Sequence, residues 1–409
     1  MKSLIDRGDM KVVVLTNILA PYRVALFEAL QDRVENLQVV LMADSEENRE
    51  WVLPTVSFPV KVLPGFHLKP PGYAISLHVN YGIQRLLRSL NPDLVLSGGF
   101  GVANFSALIY CLMANIPYVS WGELLPGRQD SIWHIRGQVR RLFGRLSSGA
   151  VASSSKAKTA FCSYGIPRDQ VCLSLMPFDV DKFRTETQVC RATPSANPHV
   201  GKFSRPCLLH VGRVIHEKGL RELFDIYERV LVARPSSSLV LVGDGPDRDW
   251  YEGLVKTRRW KNVHFEGYVQ QERLPSYFAV ADVVVFPTLH DHFGAVLGEA
   301  MAAGVPVVAS GYAAATHDLI QHGVSGFCID PYDTPQASRM IVQALEMSEE
   351  QKEVMVAEGH VRIKDQACPS AAQAMVEFFQ SLMPRQRSFR KSFLSDLIVF
   401  KKEKGRRSL

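Results

Sequence analysis

Apolar runs of strand length alternate with amphipathic stretches of helix length along the whole chain. The first run, Lys11–Thr16, is almost entirely apolar, which is typical of a strand that is covered on both faces. The next segment, Tyr22–Leu30, predicts a helix. Similar apolar runs predict further strands near Leu37–Met42, Asp93–Leu96, Pro117–Trp121 and Ala150–Ser153. This alternation is the pattern of a doubly wound parallel sheet.

The alternation stops between Phe183 and Pro206 and then starts again. The intervening stretch is polar and proline-containing, which is typical of a linker. Beyond it, Leu220–Ala233 predicts a helix, and apolar runs predict strands at Cys207–Val211, Ser238–Val242, Val263–Phe265, Val283–Phe286 and Val305–Ala309. We therefore predict an α/β fold of two doubly wound, Rossmann-like domains facing a central cleft. Ligands of such sheets bind beyond the carboxyl ends of the strands.

These changes of pattern predict five segments. An N-terminal domain covers residues 1–185, a linker covers 186–205, and a C-terminal domain covers 206–365. A helix over 366–384 is expected to return to the N-terminal domain. A basic tail covers 385–409.

One long stretch, from Leu94 to Gly122, contains no charged residue. A membrane-spanning helix needs about 20 apolar residues without a break. Here three glycines near position 100 and the sequence Asn115-Ile-Pro117 interrupt the stretch. We therefore expect a strand, a buried helix over Val102–Met113 and a second strand.

Composition and charge narrow the class of protein. The 409 residues are 46% apolar and 22% charged, which excludes a disordered chain. The seven cysteines form no C-x-x-C pair, so we expect neither a zinc ribbon nor a disulfide framework, but a reduced, cytoplasmic setting. The N-terminus lacks the apolar core of a signal peptide. The tail holds nine Lys or Arg and two acids, while the whole chain is only +6, so the remainder is nearly neutral and predicts no nucleic-acid partner.

The first segment with candidate chemistry is His210-Val-Gly-Arg-Val-Ile-His-Glu-Lys-Gly219. A strand ends at Gly212, and Arg213 and Lys218 follow before the next helix. A guanidinium fork, an ammonium group and a helix N-terminus together suit a diphosphate. The alternative is a solvated loop that carries two surface cations.

The second segment begins at His290 and includes Asp291 and Glu299. Carboxylates at the start of a helix can bind sugar or ribose hydroxyls, while the backbone N–H groups around Phe293–Val296 can bind phosphate. The alternative is an Asp that caps the helix and an exposed helical Glu.

A third segment, Gly243-Asp-Gly-Pro-Asp-Arg-Asp249, contains a D-x-D sequence, but helix capping explains its aspartates better. His290 and His292, which lie on one short loop, lack a further set of ligands at a supporting spacing. We therefore expect no metal site and no cofactor.

Between Leu208 and Asp333 a further set of short motifs occurs in a fixed order. They are the Gly-Arg…Glu-Lys-Gly loop, the Gly243-Asp-Gly-Pro turn, Phe265-Glu-Gly-Tyr-Val269, Ala281-Asp282, Phe286-Pro-Thr, Phe293-Gly…Glu299-Ala-Met-Ala-Ala-Gly-Val-Pro-Val-Val and Gly323-Val-Ser-Gly-Phe. In this order the motifs resemble the retaining family-four (group 1) glycosyltransferases of GT-B fold. The first half matches more loosely, through Pro21-Tyr-Arg-Val-Ala-Leu-Phe-Glu-Ala-Leu30, Pro117-Tyr-Val-Ser-Trp and Pro177-Phe-Asp-Val-Asp181.

The resemblance implies a role for each matching residue. The C-terminal domain would bind the nucleotide sugar and the N-terminal domain the acceptor. Arg213 and Lys218 would hold the donor diphosphate, Glu299 the ribose hydroxyls, and Asp291 the hydroxyls of the transferred sugar. Nucleobase contacts would come from around Gly267–Val269, which includes Tyr268 and Val269. The remaining donor-binding positions are Gly212, Phe293, Gly294, Ala295 and Val296.

The chain departs from the family pattern at several positions. Asp291 stands where the family usually has Glu, and Asp318 stands at the acidic position of a Gly-Gly…Pro-Glu segment. Ala20-Pro21-Tyr22 replaces a glycine-rich loop. Glu123 stands where many members have a histidine on the acceptor side. It either orients the acceptor or stabilises positive charge, and the alternative is a structural hydrogen-bonding group.

These features predict a retaining glycosyltransferase that moves a sugar from a nucleotide-diphosphate donor to a glycan or lipid-linked acceptor, in cell-surface polysaccharide or glycolipid synthesis. The alternatives are another nucleotide-sugar enzyme of this fold, such as an epimerase or phosphorylase, and a non-catalytic scaffold. Both cations and both carboxylates are present, which favours the transferase.

Two segments also predict contact with an anionic membrane surface. Ile135, Val139, Leu142, Phe143 and Leu146 share one face of a predicted helix that is otherwise rich in arginine, and apolar residues interleave the basic tail. We therefore expect a cytoplasmic protein that binds peripherally to the inner membrane face. The alternative for the helix is a core-facing apolar side with a solvated basic side.

Overall fold

The computed structural model describes residues 8–45, 55–68, 77–127 and 134–383. These residues divide into two units, one formed by those up to 175 together with those from 369 onward, and the other by 176–368. Each unit is built on a parallel sheet with helices, so the predicted α/β class with two doubly wound, Rossmann-like domains is confirmed.

The sheet of the first unit has seven parallel strands in the order β3-β2-β1-β6-β7-β8-β9. Between β3 and β6 along the chain, β4 and β5 form a separate antiparallel pair. The central strands are buried because their side chains are apolar on both faces, as the continuous runs predict. The strands are β1 Gly8–Thr16, β2 Val34–Leu41, β3 Val60–Val62, β4 Gly65–Leu68, β5 Leu77–Asn80, β6 Leu94–Gly98, β7 Tyr118–Gly122, β8 Gly149–Ala152 and β9 Val171–Leu173.

One helix of this unit, α3 Val102–Ala114, lies within the uncharged stretch from Leu94 to Gly122. That stretch forms β6, α3 and β7, so the predicted strand, buried helix and strand are confirmed. Over the described ranges, the structure contains no helix long and apolar enough to cross a bilayer. The helices are α1 Pro21–Gln31, α2 Ile83–Leu90, α3 Val102–Ala114, α4 Ile135–Leu146 and α5 Ser155–Ser163.

Helix α4 packs one side against the core of the first unit. Phe143 is buried, and Val139 and Leu146 are partly buried against the same apolar cluster. Ile135 and Leu142 are exposed. The core-facing alternative therefore describes three of the five apolar residues, and two remain at the surface.

The sheet of the second unit has six parallel strands in the order β12-β11-β10-β13-β14-β15. Strand β10 pairs with β11 on one side and with β13 on the other, so the winding of the sheet reverses between β10 and β13. The carboxyl ends of these two strands form the crevice where ligands of doubly wound sheets bind. The strands are β10 Cys207–Val211, β11 Ser238–Val242, β12 Val263–Gly267, β13 Val283–Phe286, β14 Val307–Ser310 and β15 Phe327–Ile329.

The helices of the second unit cover both faces of that sheet. They are α6 Val180–Ala192, α7 Leu220–Ala233, α8 Arg248–Thr257, α9 Leu274–Phe278, α10 Ala295–Ala302, α11 Ala314–Leu319, α12 Thr334–Glu346 and α13 Glu349–Arg362.

The predicted linker over 186–205 is partly wrong, because α6 extends into it as far as Ala192. Asp179 caps the helix by accepting a hydrogen bond from Lys182 N at 3.1 Å. Val180, Phe183 and Thr187 lie on its buried side, while polar residues occupy the other sides. The polar composition therefore reflects a solvated helix face rather than the absence of a helix.

The last helix, α14, covers Cys368–Leu382, and its residues from 369 onward belong to the first unit. A Cβ atom on Gly149 would lie 2.8 Å from Phe378 Cζ and 3.3 Å from Leu382 Cδ1, so the helix packs directly on the start of β8. The basic tail from 385 to 409 lies outside the described residues.

Candidate active site

The loop after β10 starts at Gly212 and ends at Gly219, and two close backbone approaches define its path. A Cβ atom on Gly243 would overlap the carbonyl oxygen of Gly212, and one on Gly219 would overlap the carbonyl oxygen of Pro287. Gly219 also has φ +68°, which favours glycine. These two glycines therefore let the loops after β10, β11 and β13 lie against each other.

The backbone of Glu217 joins the loop after β10 to the loop after β13. Its carbonyl oxygen accepts hydrogen bonds from Leu289 N at 2.9 Å, from His290 N at 3.2 Å and from Thr288 Oγ1 at 3.0 Å. The next residue, Lys218, is thereby fixed beside the segment that carries Asp291.

Lys218 and Asp291 form an ion pair through Nζ and Oδ2. Their side chains are only 14% and 17% exposed. The ammonium group also lies 5.8 Å from the centre of the Phe286 ring. The structure thus brings together a cation and a carboxylate that are 73 residues apart in the sequence.

Asp291 also orients the start of α10. Its Oδ1 accepts a hydrogen bond from Phe293 N at 3.2 Å. Gly294 precedes the helix with φ +98°, and no side chain caps the helix there. The capping role considered for Asp291 is therefore wrong, since its carboxylate binds a backbone N–H group before the helix and not one within it. The first N–H groups of the helix, including those of Ala295 and Val296, have no partner within the helix itself.

Glu299 lies inside α10 and is only 8% exposed. Among the described residues, no hydrogen-bond donor or cation contacts its carboxylate. Burial without a partner raises the pKa of Glu299 to about 7, because the charged form loses its hydration. The alternative of an exposed helical Glu is therefore wrong. A buried carboxylate without a partner is suited to a ligand that donates hydrogen bonds.

The other predicted donor-site residues follow strand ends at the same edge of the sheet. Arg213 is exposed, and its guanidinium contacts no acid among the described residues. Tyr268 and Val269 follow β12, where Tyr268 is exposed and Val269 is partly buried. Gly243 N donates to Gly267 O at 2.8 Å and joins the turn after β11 to the end of β12.

His210, which the sequence analysis did not select, lies beneath this loop on β10. Its Nδ1 is 3.1 Å from Val285 O, and its Nε2 is buried without a partner. A Cβ atom on Gly212 would lie 3.3 Å from that Nε2. Burial, and then the charge of Lys218, lower the pKa of His210 to about 4. The signal in the sequence was a polar residue inside an otherwise apolar central strand.

The aspartates of the third segment serve local structure. Asp247 Oδ2 accepts a hydrogen bond from His216 N at 2.8 Å instead of capping α8. Asp244 accepts hydrogen bonds from Gly245 N and from Arg248. Within the ranges that the structure describes, no cluster of three or more His, Cys, Asp or Glu is arranged to hold a metal ion.

Glu123, the predicted acceptor-side residue, belongs to the first unit and follows β7. Its Oε1 lies 3.3 Å from Arg23 Nη2 in a partly buried ion pair. The Arg23 guanidinium also donates to Thr16 Oγ1 at 2.8 Å and lies 4.3 Å from the centre of the Trp121 ring. Burial by itself lowers the pKa of Arg23, but Tyr22 and Glu123 raise it above its ordinary value. Arg23 is thus a second functional candidate that the sequence analysis missed.

Comparison with known proteins identifies the second unit. The family model "Glycosyl transferases group 1" matches residues 198–360, which include the loop after β10, Asp291 and Glu299. This segment belongs to the group 1 glycosyltransferases. The recognition made from the ordered motifs is therefore confirmed for the segment that carries them.

Individual relatives agree with this family. The chain is 28% identical over 294 residues to a sulfoquinovosyl transferase of Arabidopsis thaliana. The matched region covers 69% of this chain and 54% of that protein. The chain thus spans about half the length of this curated relative. A crystal structure of Anabaena HepE in complex with UDP has a TM-score of 0.70 at 20% identity, over 91% of this chain and 100% of that one. A structure of the same protein with UDP-glucose has a TM-score of 0.65 at 22% identity, over the same shares. These likenesses show the GT-B fold.

Proposed function

We propose that this group 1 glycosyltransferase chain transfers a hexose from a nucleoside diphosphate sugar, with retention, to a hydroxyl of a glycan or lipid-linked acceptor. The observation that carries the proposal is what meets at the crevice between β10 and β13. The partly buried Lys218–Asp291 pair lies at or next to that edge, together with the Arg213 guanidinium and the buried Glu299 carboxylate, neither of which has a partner among the described residues. The UDP and UDP-glucose complexes of HepE support a nucleotide sugar as the ligand class.

Each group at this edge has a chemical use in such a transfer. As the bond between the sugar and the diphosphate breaks, negative charge develops on the leaving phosphate. Arg213, Lys218 and the N–H groups at the start of α10 stabilise that charge, because cations and a helix N-terminus favour an anion there. These fixed groups supply the charge stabilisation without a metal ion.

The two carboxylates have different partners in this proposal. Glu299 accepts hydrogen bonds from the two ribose hydroxyls, which supply the donors that its buried oxygens lack. Asp291 accepts hydrogen bonds from hydroxyls of the transferred sugar, while its ion pair with Lys218 holds the carboxylate in place. The leaving phosphate takes the proton of the acceptor hydroxyl as the new glycosidic bond forms.

In the first unit, Glu123 acts on the acceptor side. Its ion pair with Arg23 fixes the direction of the carboxylate, so that it orients the acceptor hydroxyl. Exposed Ile135 and Leu142 on the arginine-rich helix α4, together with the basic tail, support peripheral binding to an anionic membrane at the inner face. Such a position would suit a lipid-linked acceptor.

A donor-hydrolysis assay tests the proposal. UDP-, GDP- and ADP-sugars are first screened for those that raise the melting temperature of the wild type. Hydrolysis of the selected donors is then compared between the wild type and the double variant Arg213→Ala, Lys218→Ala. We expect the double variant to lose at least 100-fold in rate, because both cations at the phosphate are gone. Arg229→Ala removes an exposed arginine on α7 that bonds Thr334, and serves as the matched control. Equal rates in wild type and double variant would favour a non-catalytic scaffold.

A further inference from the structure

A cavity lies at the amino ends of the strands of the second unit, on the side of the sheet away from the candidate active site. It has a volume of about 480 Å³. Arg205, Asp282 and Pro306 line it, and these residues immediately precede or lie next to the starts of β10, β13 and β14. Because the strands are parallel, this cavity opens at their amino ends, away from the candidate active site at their carboxyl ends.

One side of helix α6 supplies hydrogen-bond donors to this cavity. Arg184, Gln188 and Arg191 line it at a spacing of four and then three residues, which places them on one helix face. The Nε of Arg184 is buried and has no hydrogen-bond partner in the described part of the chain. Arg191 makes one weak contact, from Nη2 to Gly304 O at 3.5 Å.

The acids of the cavity do not neutralise these two arginines. Asp282 is paired with Arg205, and Glu349 is paired with Lys352 at 2.8 Å. Glu353 is exposed and contacts neither arginine. Arg184 and Arg191 therefore face the same space with no carboxylate partner among the described residues.

Two further observations show that cationic side chains of this cavity lie close to other titratable groups there. Burial, and then the charge of Arg205, lower the pKa of Arg191 below its ordinary value. The ring of His360 is hydrogen-bonded to the backbone at Ala302 and Met301, while its buried Nε2 finds no partner within the described ranges. Burial and the charge of Arg184 lower the pKa of His360 as well. The cavity thus contains donors and like charges that a bound anion would satisfy.

We propose that this cavity binds the phosphate group of a small phosphorylated molecule, with Arg184 and Arg191 as its main contacts. Arginine forks fit the oxygens of a phosphate group, and the volume is that of a small-molecule site. Ala279, Ala302 and Val356 give the cavity an apolar wall for the carbon part of the ligand. The site is separate from the proposed donor site and does not depend on the proposed function.

Thermal unfolding of the full chain tests the proposal, with glucose 6-phosphate and inorganic phosphate as probes at constant ionic strength. We expect either probe to raise the melting temperature of the wild type and of Arg213→Gln, since a ligand of the folded state stabilises it. In the double variant Arg184→Gln, Arg191→Gln, we expect the apparent Kd to rise at least 10-fold. The double variant Arg184→Lys, Arg191→Lys keeps the charge without the forks and should fall between.

The outcomes are distinguishable. No shift in the wild type, or a shift that sulfate reproduces in full, would overturn the proposal. A shift that Arg213→Gln abolishes would assign the phosphate to the other edge of the sheet, and also overturn it. The glutamine variant should melt no lower than wild type without ligand, because it loses repulsion between like charges. If it does not fold, the lysine variant decides, and an unchanged Kd there would count against the forks.

Discussion

Glu299→Gln is the substitution whose effect follows most directly from the structure. The carboxylate is buried and has no partner among the residues that the structure describes, so burial raises its pKa from 4.5 to about 7. At pH 8 the folded chain must hold it ionised in an apolar position. The unfolded chain ionises the same group near its ordinary value, without that cost. Between pH 4.5 and pH 7 the folded state therefore binds more protons than the unfolded state, and stability falls as pH rises.

The size of this effect follows from the pKa difference. A difference of about 2.5 pKa units corresponds to a loss of about 3 kcal/mol in the free energy of unfolding. This loss is absent below pH 4.5 and complete above pH 7. Gln has nearly the same shape and no charge, so Glu299→Gln removes this cost. For a unit of this size, about 3 kcal/mol corresponds to roughly 6–12 °C in melting temperature.

Melting temperatures of ligand-free wild type and Glu299→Gln, measured from pH 5 to pH 8.5, test this reasoning. We expect nearly equal values at pH 5 and a higher value for the variant at pH 8. Glu358→Gln, which changes an exposed acid on α13, should show no such divergence. UDP should then stabilise the wild type more than Glu299→Gln, because the amide offers one acceptor oxygen in place of two. Parallel pH profiles for wild type and variant would refute the assignment of Glu299 as a buried, unpaired acid.

Three further changes test other parts of the structure. Gly219→Ala should destabilise the chain by at least about 1–3 kcal/mol, because residue 219 has a positive φ and the new Cβ would overlap Pro287 O. Chemical unfolding would measure this loss of stability. Asp291→Asn should lower turnover far more than nucleotide affinity, since Asp291 is proposed to contact the sugar; steady-state kinetics beside UDP titration would contradict this if both fell together. NMR titration should find the ring of His210 still neutral at pH 5.5, because its pKa is lowered to about 4, and protonation near pH 6.5 would show that it is hydrated.

The sequence predicted most of the fold because the information was local. Strands such as Cys207–Val211 and helices such as Leu220–Ala233 begin and end in the structure where the apolar pattern begins and ends. The exception was α6, whose exposed polar face resembles a linker when the buried partners of Val180 and Phe183 are unknown. Composition alone does not distinguish a solvated helix from a loop.

The candidate site was predicted only in part. The ordered motifs pointed to Arg213, Lys218, Asp291 and Glu299. They did not show how far apart these four side chains lie in the folded chain. The burial of Glu299, the Lys218–Asp291 pair and the neutral His210 depend on which side chains the sheet brings together. The Arg23–Glu123 pair joins residues 100 positions apart, and no periodic pattern in the chain predicts such a contact.

By itself, then, the sequence determined the two α/β units, the places where strands end, and the residue types available at those ends. Periodicity and short motifs encode these directly. Only the tertiary structure decided the electrostatics, because a charge is stabilised or destabilised by neighbours that are distant in sequence and by the water that folding removes. This is why, among the residues that the structure describes, Asp291 is paired, Glu299 is not, and Arg184 and Arg191 line one cavity without a carboxylate partner.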